Sequence, residues 1–180
     1  MAVDRSTNAY IWFMRALFAA LCCAFLMFHL LPLGQSSTLA FAPDLILCLT
    51  LAWVSRRPEF TPVLLIAATA LLADLLLGRA PGLWAALTLL LSEYIRNRGR
   101  RMKTAGFFWE WVRVSVGIAV IFLVNRVAMS VLLLDVPALG SVMAQYGATI
   151  VLYPVITGLS ALFLRIRHIE PAETTGRVRA

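Results

Sequence analysis

Two ionisable residues, Asp74 and Arg126, lie deep inside apolar stretches of the sequence. Placing a charge at the centre of a bilayer costs at least about 2.5–3.5 kcal/mol on insertion scales, so such residues need a partner or a purpose. Asp74 is twelve residues beyond Pro62, and Arg126 is thirteen beyond Arg113. At 1.5 Å rise per residue both lie roughly 18–20 Å from the starts of their helices. The matching depth predicts an Asp74–Arg126 ion pair, which offsets much of the desolvation cost of each group. The alternative is that each charge separately reaches water or headgroups. Asp74 also belongs to a stripe of small residues, Ala67, Ala70 and Gly78, at helical spacing. Ala85, Thr88 and Ser92 form a matching stripe on the next helix. Small residues let helix backbones approach closely in lipid, where no hydrophobic force drives association. The pattern predicts close packing of these two helices, with Asp74 organising a partner cleft between them.

Nothing else in the sequence has the spacing of a catalytic or metal centre. There is no H-E-x-x-H, paired C-x-x-C, G-x-S-x-G or P-loop. Cys22, Cys23 and Cys48 all fall in apolar runs, where cysteine behaves as a small hydrophobe. His29 and His168 stand far apart in the sequence. The expectation is a non-enzymatic protein with no cofactor and no metal.

The elements that position these residues follow from composition. Of 180 residues, 61% are hydrophobic and 14% charged, and the mean hydropathy is +0.85. Soluble domains are roughly 45–50% apolar and about 25% charged. The fold class expected is therefore all-α, a polytopic membrane bundle of six transmembrane helices. Six spans of about 20 residues use roughly 120 positions, which leaves no length for a separate catalytic domain. The predicted helices are Trp12 to Leu33, Pro43 to Val54, Pro62 to Leu77, Gly82 to Ile95, Arg113 to Leu134 and Val142 to Leu164. The first is expected to be a retained span and not a signal peptide, since it exceeds the 7–15 residues of an h-region. Pro43 suits a first helical position, whose N–H is unpaired anyway. Asp44 is placed to cap the first turn that follows or to favour its positive dipole end. Pro81 and Gly82 form a very tight link that makes the third and fourth helices antiparallel neighbours. Phe107 to Trp111 is an aromatic segment suited to lying in the interface ahead of the fifth helix. The bundle is assigned to residues 1–168, with a polar, disordered tail over 169–180.

The net charge of +7 is unevenly distributed. Of the sixteen Lys and Arg residues, fourteen border one side of a six-span arrangement. The opposite side holds only Arg79, and Arg126 is mid-helix. By the positive-inside rule the crowded side, with both chain ends, is cytoplasmic. Arg96, Arg98, Arg100, Arg101 and Lys103 form a cytoplasmic basic stretch suited to anionic lipids or an acidic partner; no nucleic-acid partner is expected. Glu93 is close enough to pair with Arg96 or Arg98.

Two stretches resemble the MreD family of bacterial rod shape-determining membrane proteins. Pro43-Asp44-Leu45-Ile46-Leu47 is similar to the family's Pro-Asp followed by aliphatics at the second span. Asp74, Gly78 and Gly82, with Pro81 between the glycines, resemble the family's D-x-x-x-G-x-x-x-G signature joining the third and fourth spans. Ala70 stands where the family often has glycine. The size, six spans and cytoplasmic termini agree. The resemblance implies a non-enzymatic component of the cell-wall elongation machinery in the bacterial inner membrane. Its implied partners are an MreC-like bitopic protein and, through the complex, an MreB-like filament, a RodA-type polymerase and its transpeptidase. It further implies an architecture similar to the substrate-binding subunits of energy-coupling-factor transporters. The alternative function is accordingly a vitamin-type small-molecule binding subunit of a transporter.

Overall fold

The computed structural model describes residues 2–30, 43–99, 107–133 and 138–163. Among these residues every regular element is an α-helix. They are α1 (Ala2–Leu30), α2 (Leu45–Arg56), α3 (Val63–Leu76), α4 (Leu83–Gly99), α5 (Phe107–Val131) and α6 (Leu139–Phe163). Arg100, Arg101, Lys103 and the tail beyond Phe163 lie outside the described residues, as do residues 31–42.

Three helices, α1, α5 and α6, are long and apolar enough to cross a membrane. Only 22%, 22% and 17% of their most apolar windows are buried within the protein. On α1, Met14, Phe18, Cys22 and Leu26 form a buried stripe at four-residue spacing, while Trp12, Phe13 and Phe28 are largely exposed. Exposed apolar surface on this scale marks a membrane or partner interface in a folded protein. The three helices fit a membrane protein.

The other three helices are shorter. At 1.5 Å per residue, the 12 residues of α2 cover about 18 Å, well under the roughly 30 Å of a hydrocarbon core. Of the six spans expected from the sequence, three are helices of spanning length among the described residues. The reason is visible in the burial of α2. Every residue from Leu47 to Val54 is buried, and a helix apolar all round belongs in a core. It packs against α1, α4 and α6, while α3 packs on α1 and α4, and α5 lies between α4 and α6. Thus α2 is the central post of the bundle.

Several boundaries differ from expectation. Pro43 precedes the helix cap instead of opening α2, because the Asp44 side chain is the N-cap and accepts from Leu47 N–H. The aromatic segment Phe107 to Trp111 forms the first turns of α5 instead of a separate interfacial stretch. Continuing the helix satisfies backbone groups that an irregular segment would leave to solvent. Likewise α4 runs to Gly99, so Arg96 and Arg98 sit in its last turn, where cations favour the helix dipole.

The α2–α3 turn gathers cations from three directions. Arg15 on α1 donates to the Glu59 carbonyl, Arg96 on α4 donates to the Thr61 carbonyl, and Arg57 lies over the Phe60 ring. Glu93 pairs with Arg96 at 3.2 Å.

Pro154 lies inside α6, so it donates no hydrogen bond to the carbonyl of Ile150. Trp111 Nε1 on α5 donates to that same carbonyl at 3.2 Å. The indole replaces the missing intrahelical donor, and Glu110 holds the neighbouring turn through Tyr153 OH at 3.1 Å. Losing a partner from a buried carbonyl costs about 1–3 kcal/mol. Trp111→Phe is therefore expected to destabilise the protein by that order, and markedly less in a Pro154→Ala background where the helix supplies its own donor. A double-mutant cycle on unfolding in detergent checks this; equal losses in both backgrounds would refute the replacement.

Candidate functional site

The end of the bundle opposite the α2–α3 turn is built around two buried carboxylates, each fixed by a helix start. The local sequence explains the first. Helix α3 ends at Leu76 with Leu77 as its C-cap, and Gly78 follows with φ +63°. Arg79 N–H then donates to the Asp74 carbonyl at 3.0 Å. This is a Schellman closure, in which glycine takes the left-handed position because a Cβ is penalised there. Next, Ala80-Pro81-Gly82-Leu83 makes a turn closed by Leu83 N–H on the Ala80 carbonyl at 3.3 Å. Gly82 has φ +85°, as a type II turn requires at its third position, and proline presets the second.

Gly82 occupies the N-cap position of α4, since its carbonyl accepts the first intrahelical bond, from Ala86. Having no side chain, it cannot cap the helix. Asp74 supplies the cap from α3: its Oδ2 accepts from Gly82 N–H at 3.0 Å and from Ala85 N–H at 3.1 Å. Asp74 is 0% exposed, and its other oxygen, Oδ1, has no hydrogen-bond partner among the described residues. The expected Asp74–Arg126 ion pair is thus replaced by an anion on the amides of a helix N-terminus, where the aligned peptide dipoles favour negative charge. The two residues share depth in sequence count, but the tight hairpin brings the α4 amides to Asp74 first.

The close packing expected of α3 and α4 is present. Ala70, Ala73 and Asp74 are buried from one helix, and Ala85, Thr88 and Ser92 from the other. Ala67 is only half-buried. On the next face, Gly117 of α5 meets Leu91 so closely that a Cβ would collide with its methyl group.

The second carboxylate, Asp44, joins four elements. Its Oδ1 caps α2, while Oδ2 accepts from Arg79 Nη1 at 3.2 Å and Trp84 Nε1 at 3.1 Å. Its backbone N–H donates to Thr149 Oγ1 on α6 at 3.2 Å, and the Thr149 hydroxyl donates to the Gln145 carbonyl. Cys48 Sγ donates to the Thr149 carbonyl one turn further on. The Arg79 guanidinium lies 5.4 Å from the Trp84 ring centroid, and Trp84 packs edge-on against Phe122 of α5. Sequence reasoning placed Asp44 and Arg79 at helix ends but did not join them, and missed Trp84, Gln145 and Thr149. A polar pair four residues apart in α6 was the only signal of that face.

Two cavities flank the Asp44–Arg79 pair. The larger, about 300 Å³, lies between the hairpin, α5 and α6 and includes Arg126, Asn125 and Gln145 in its wall. The smaller, about 200 Å³, lies toward α1 and includes His29, Pro43 and Asp44. Arg79 and Gln145 line both. No cluster of His, Cys, Asp or Glu suited to a metal ion occurs among the described residues. No family model, curated protein or solved structure matches the chain.

The hairpin makes a sharp prediction. A Cβ on Gly82 meets nothing within 4 Å, so Gly82→Ala isolates the cost of its left-handed backbone, about 1–2 kcal/mol. Asp74→Ala removes a charged acceptor from two amides and is expected to cost about 2–3 kcal/mol. Thermal unfolding in detergent measures both; a neutral Asp74→Ala would exclude the capping role.

Proposed function

We propose that the chain is a non-enzymatic membrane component of the cell-wall elongation machinery, acting in rod shape determination and peptidoglycan synthesis by binding an MreC-like bitopic partner. The observation that carries this reading is the α3–α4 hairpin. The three residues that resemble the family signature, Asp74, Gly78 and Gly82, each have a separate and necessary part in one turn. A spacing met by chance in an aliphatic helix has no reason to satisfy all three. The Pro43-Asp44 pair ahead of α2 adds support, because its carboxylate anchors the same hairpin through Arg79. Through the partner, the protein joins an assembly of MreB-like filament, RodA-type polymerase and transpeptidase. Depletion is expected to round rod-shaped cells, and an affinity-tagged protein to co-purify with an MreC-like partner. Normal rods together with no such partner would sink the reading.

In this reading the protein sits in the bacterial inner membrane with both ends cytoplasmic and six crossings. The short helices cross as parts of a bundle whose hydrocarbon contact is made mainly by α1, α5 and α6. The convergence of Arg15, Arg57 and Arg96 on the α2–α3 turn supports a cytoplasmic position for that turn. In a background without the three native cysteines, a cysteine at Ala80 is expected to react with a membrane-impermeant maleimide in intact spheroplasts. A cysteine at Glu59 is expected to react only after lysis, and the reverse pattern would invert the topology.

The second reading, a vitamin-type binding subunit of a transporter, is favoured by the two cavities beside Arg79. Association with transporter ATPase subunits in place of an MreC-like partner would select it.

A further inference from the structure

Helix α6 is tied to its neighbours differently on the two sides of Pro154. Among the described residues, every hydrogen bond from α6 to another element lies before the proline. Tyr146 OH donates to the Ser115 carbonyl at 3.3 Å, and Thr149 meets Asp44 and Cys48. The Ile150 carbonyl takes the Trp111 indole, and Tyr153 OH donates to Glu110. Beyond the proline, Ile156, Thr157 and Ser160 are the buried side chains. Two hydroxyls at this level are buried without a hydrogen-bond partner, Thr157 Oγ1 and, on α2, Ser55 Oγ. Both lie close to Tyr153 OH. Buried polar groups nearly all find partners, so an idle donor in this seam calls for a reason.

The backbone around the proline supplies that reason. A regular helix pairs each carbonyl with the amide four residues on, and Pro154 leaves the Ile150 carbonyl without one. The indole fills the gap from α5, but a helix has a second way to fill it. When the turns over the proline widen to pairing five residues on, the Val155 amide reaches the Ile150 carbonyl. Ile156 then serves Val151, and Thr157 serves Leu152. The open carbonyl is passed down the helix to Tyr153. Thr157 stands four residues beyond Tyr153, the position from which a Thr hydroxyl bonds back to a helix carbonyl. Its idle hydroxyl is the donor that the second arrangement needs. Every carbonyl over the proline has a donor in both arrangements, with the indole closing one and Thr157 the other.

We propose that α6 is a two-position hinge about Pro154, with the Trp111 indole as the catch of one position and the Thr157 hydroxyl as the catch of the other. Residues 139–150 stay fixed to α2 and α5 in both. Residues 155–163 shift against α2 and uncover Ser55, at the end of the bundle that carries the α2–α3 turn. Proline is tolerated in membrane helices because neighbouring helices, Ser or Thr side chains and local π turns resatisfy the backbone. Here a neighbouring helix and a threonine serve the same break, which makes the exchange between them nearly even. The hinge requires no partner, so it stands or falls separately from the elongation reading.

The test uses the full chain in detergent, with the exposed Cys23 changed to Ser and spin labels placed on introduced cysteines. The reporting pair is Leu64 on α3 with Leu162 on α6, and the control pair is Leu64 with Val151; all three side chains are largely exposed. Pulsed electron paramagnetic resonance reads the distances. The reporting pair is expected to show two distances and the control pair one. Trp111→Phe is expected to raise the population of the second distance at least threefold. Thr157→Val, which keeps the shape and removes the hydroxyl, is expected to lower it at least threefold, and Pro154→Ala to abolish it. A single distance for the reporting pair in both the parent protein and Trp111→Phe overturns the hinge. An equal change in the control pair also overturns it, because the whole helix then moves. A second population unaffected by Thr157→Val overturns the second catch. Should Trp111→Phe fail to fold, identical distributions in the parent, Thr157→Val and Pro154→Ala overturn the proposal on their own.

Discussion

In an interior this apolar, a backbone N–H or C=O without a partner costs as much as a lost hydrogen bond, and water is not at hand to supply one. Most of what distinguishes this bundle answers that constraint. Helix α2 begins inside the protein and is capped by its own Asp44. Helix α4 begins beside it at a glycine that cannot cap, and Asp74 reaches over from α3. Helix α6 contains a proline that strips one carbonyl of its donor, and Trp111 reaches over from α5. In each case a backbone group that secondary structure leaves open is closed by a side chain, twice from a different helix. The same bonds that satisfy the backbone therefore fix how the helices pack.

Charge follows the same logic. Asp74 is held by amides at a helix N-terminus, a favourable place for an anion, whereas Asp44 is met by a cation and an indole. The two carboxylates lie on adjoining elements, yet only one needs a counter-ion. The helix dipole serves as the partner of the other.

The sequence made some of this legible and hid the rest for definite reasons. Local grammar was readable: the Asp44 cap, the tight link at Pro81-Gly82 and the small-residue face of α3 and α4 all depend on neighbours in the chain. Glu93 was placed correctly beside Arg96 because the two are three residues apart on one helix. Pairing across helices was not readable. Equal depth suggested Asp74 with Arg126, but depth carries no information about azimuth, and the hairpin sets two α4 amides on the Asp74 carboxylate. The brevity of α2 was visible, but not that it forms the core, since a buried helix and a short span share the same all-apolar pattern. Pro154 is plain in the sequence as a break in helical hydrogen bonding, while its indole donor lies 43 residues away on another helix, where no spacing rule reaches.

The position of Arg79 shows how one turn governs the chemistry of a cavity wall. Gly78 in its left-handed conformation turns the chain sharply out of α3, and Arg79 is the next residue. The Asp74 cap then holds the start of α4 against the end of α3, and the Arg79 side chain lies between Asp44 and the Trp84 ring. From there it reaches both cavities. A change at Gly78, Gly82 or Asp74 thus moves the guanidinium without touching it. The reverse does not hold, because Arg79 contributes its backbone N–H to the hairpin whatever its side chain is. The turn is a structural device whose product is an arginine held at a fixed point, and its backbone and its charge can be varied independently.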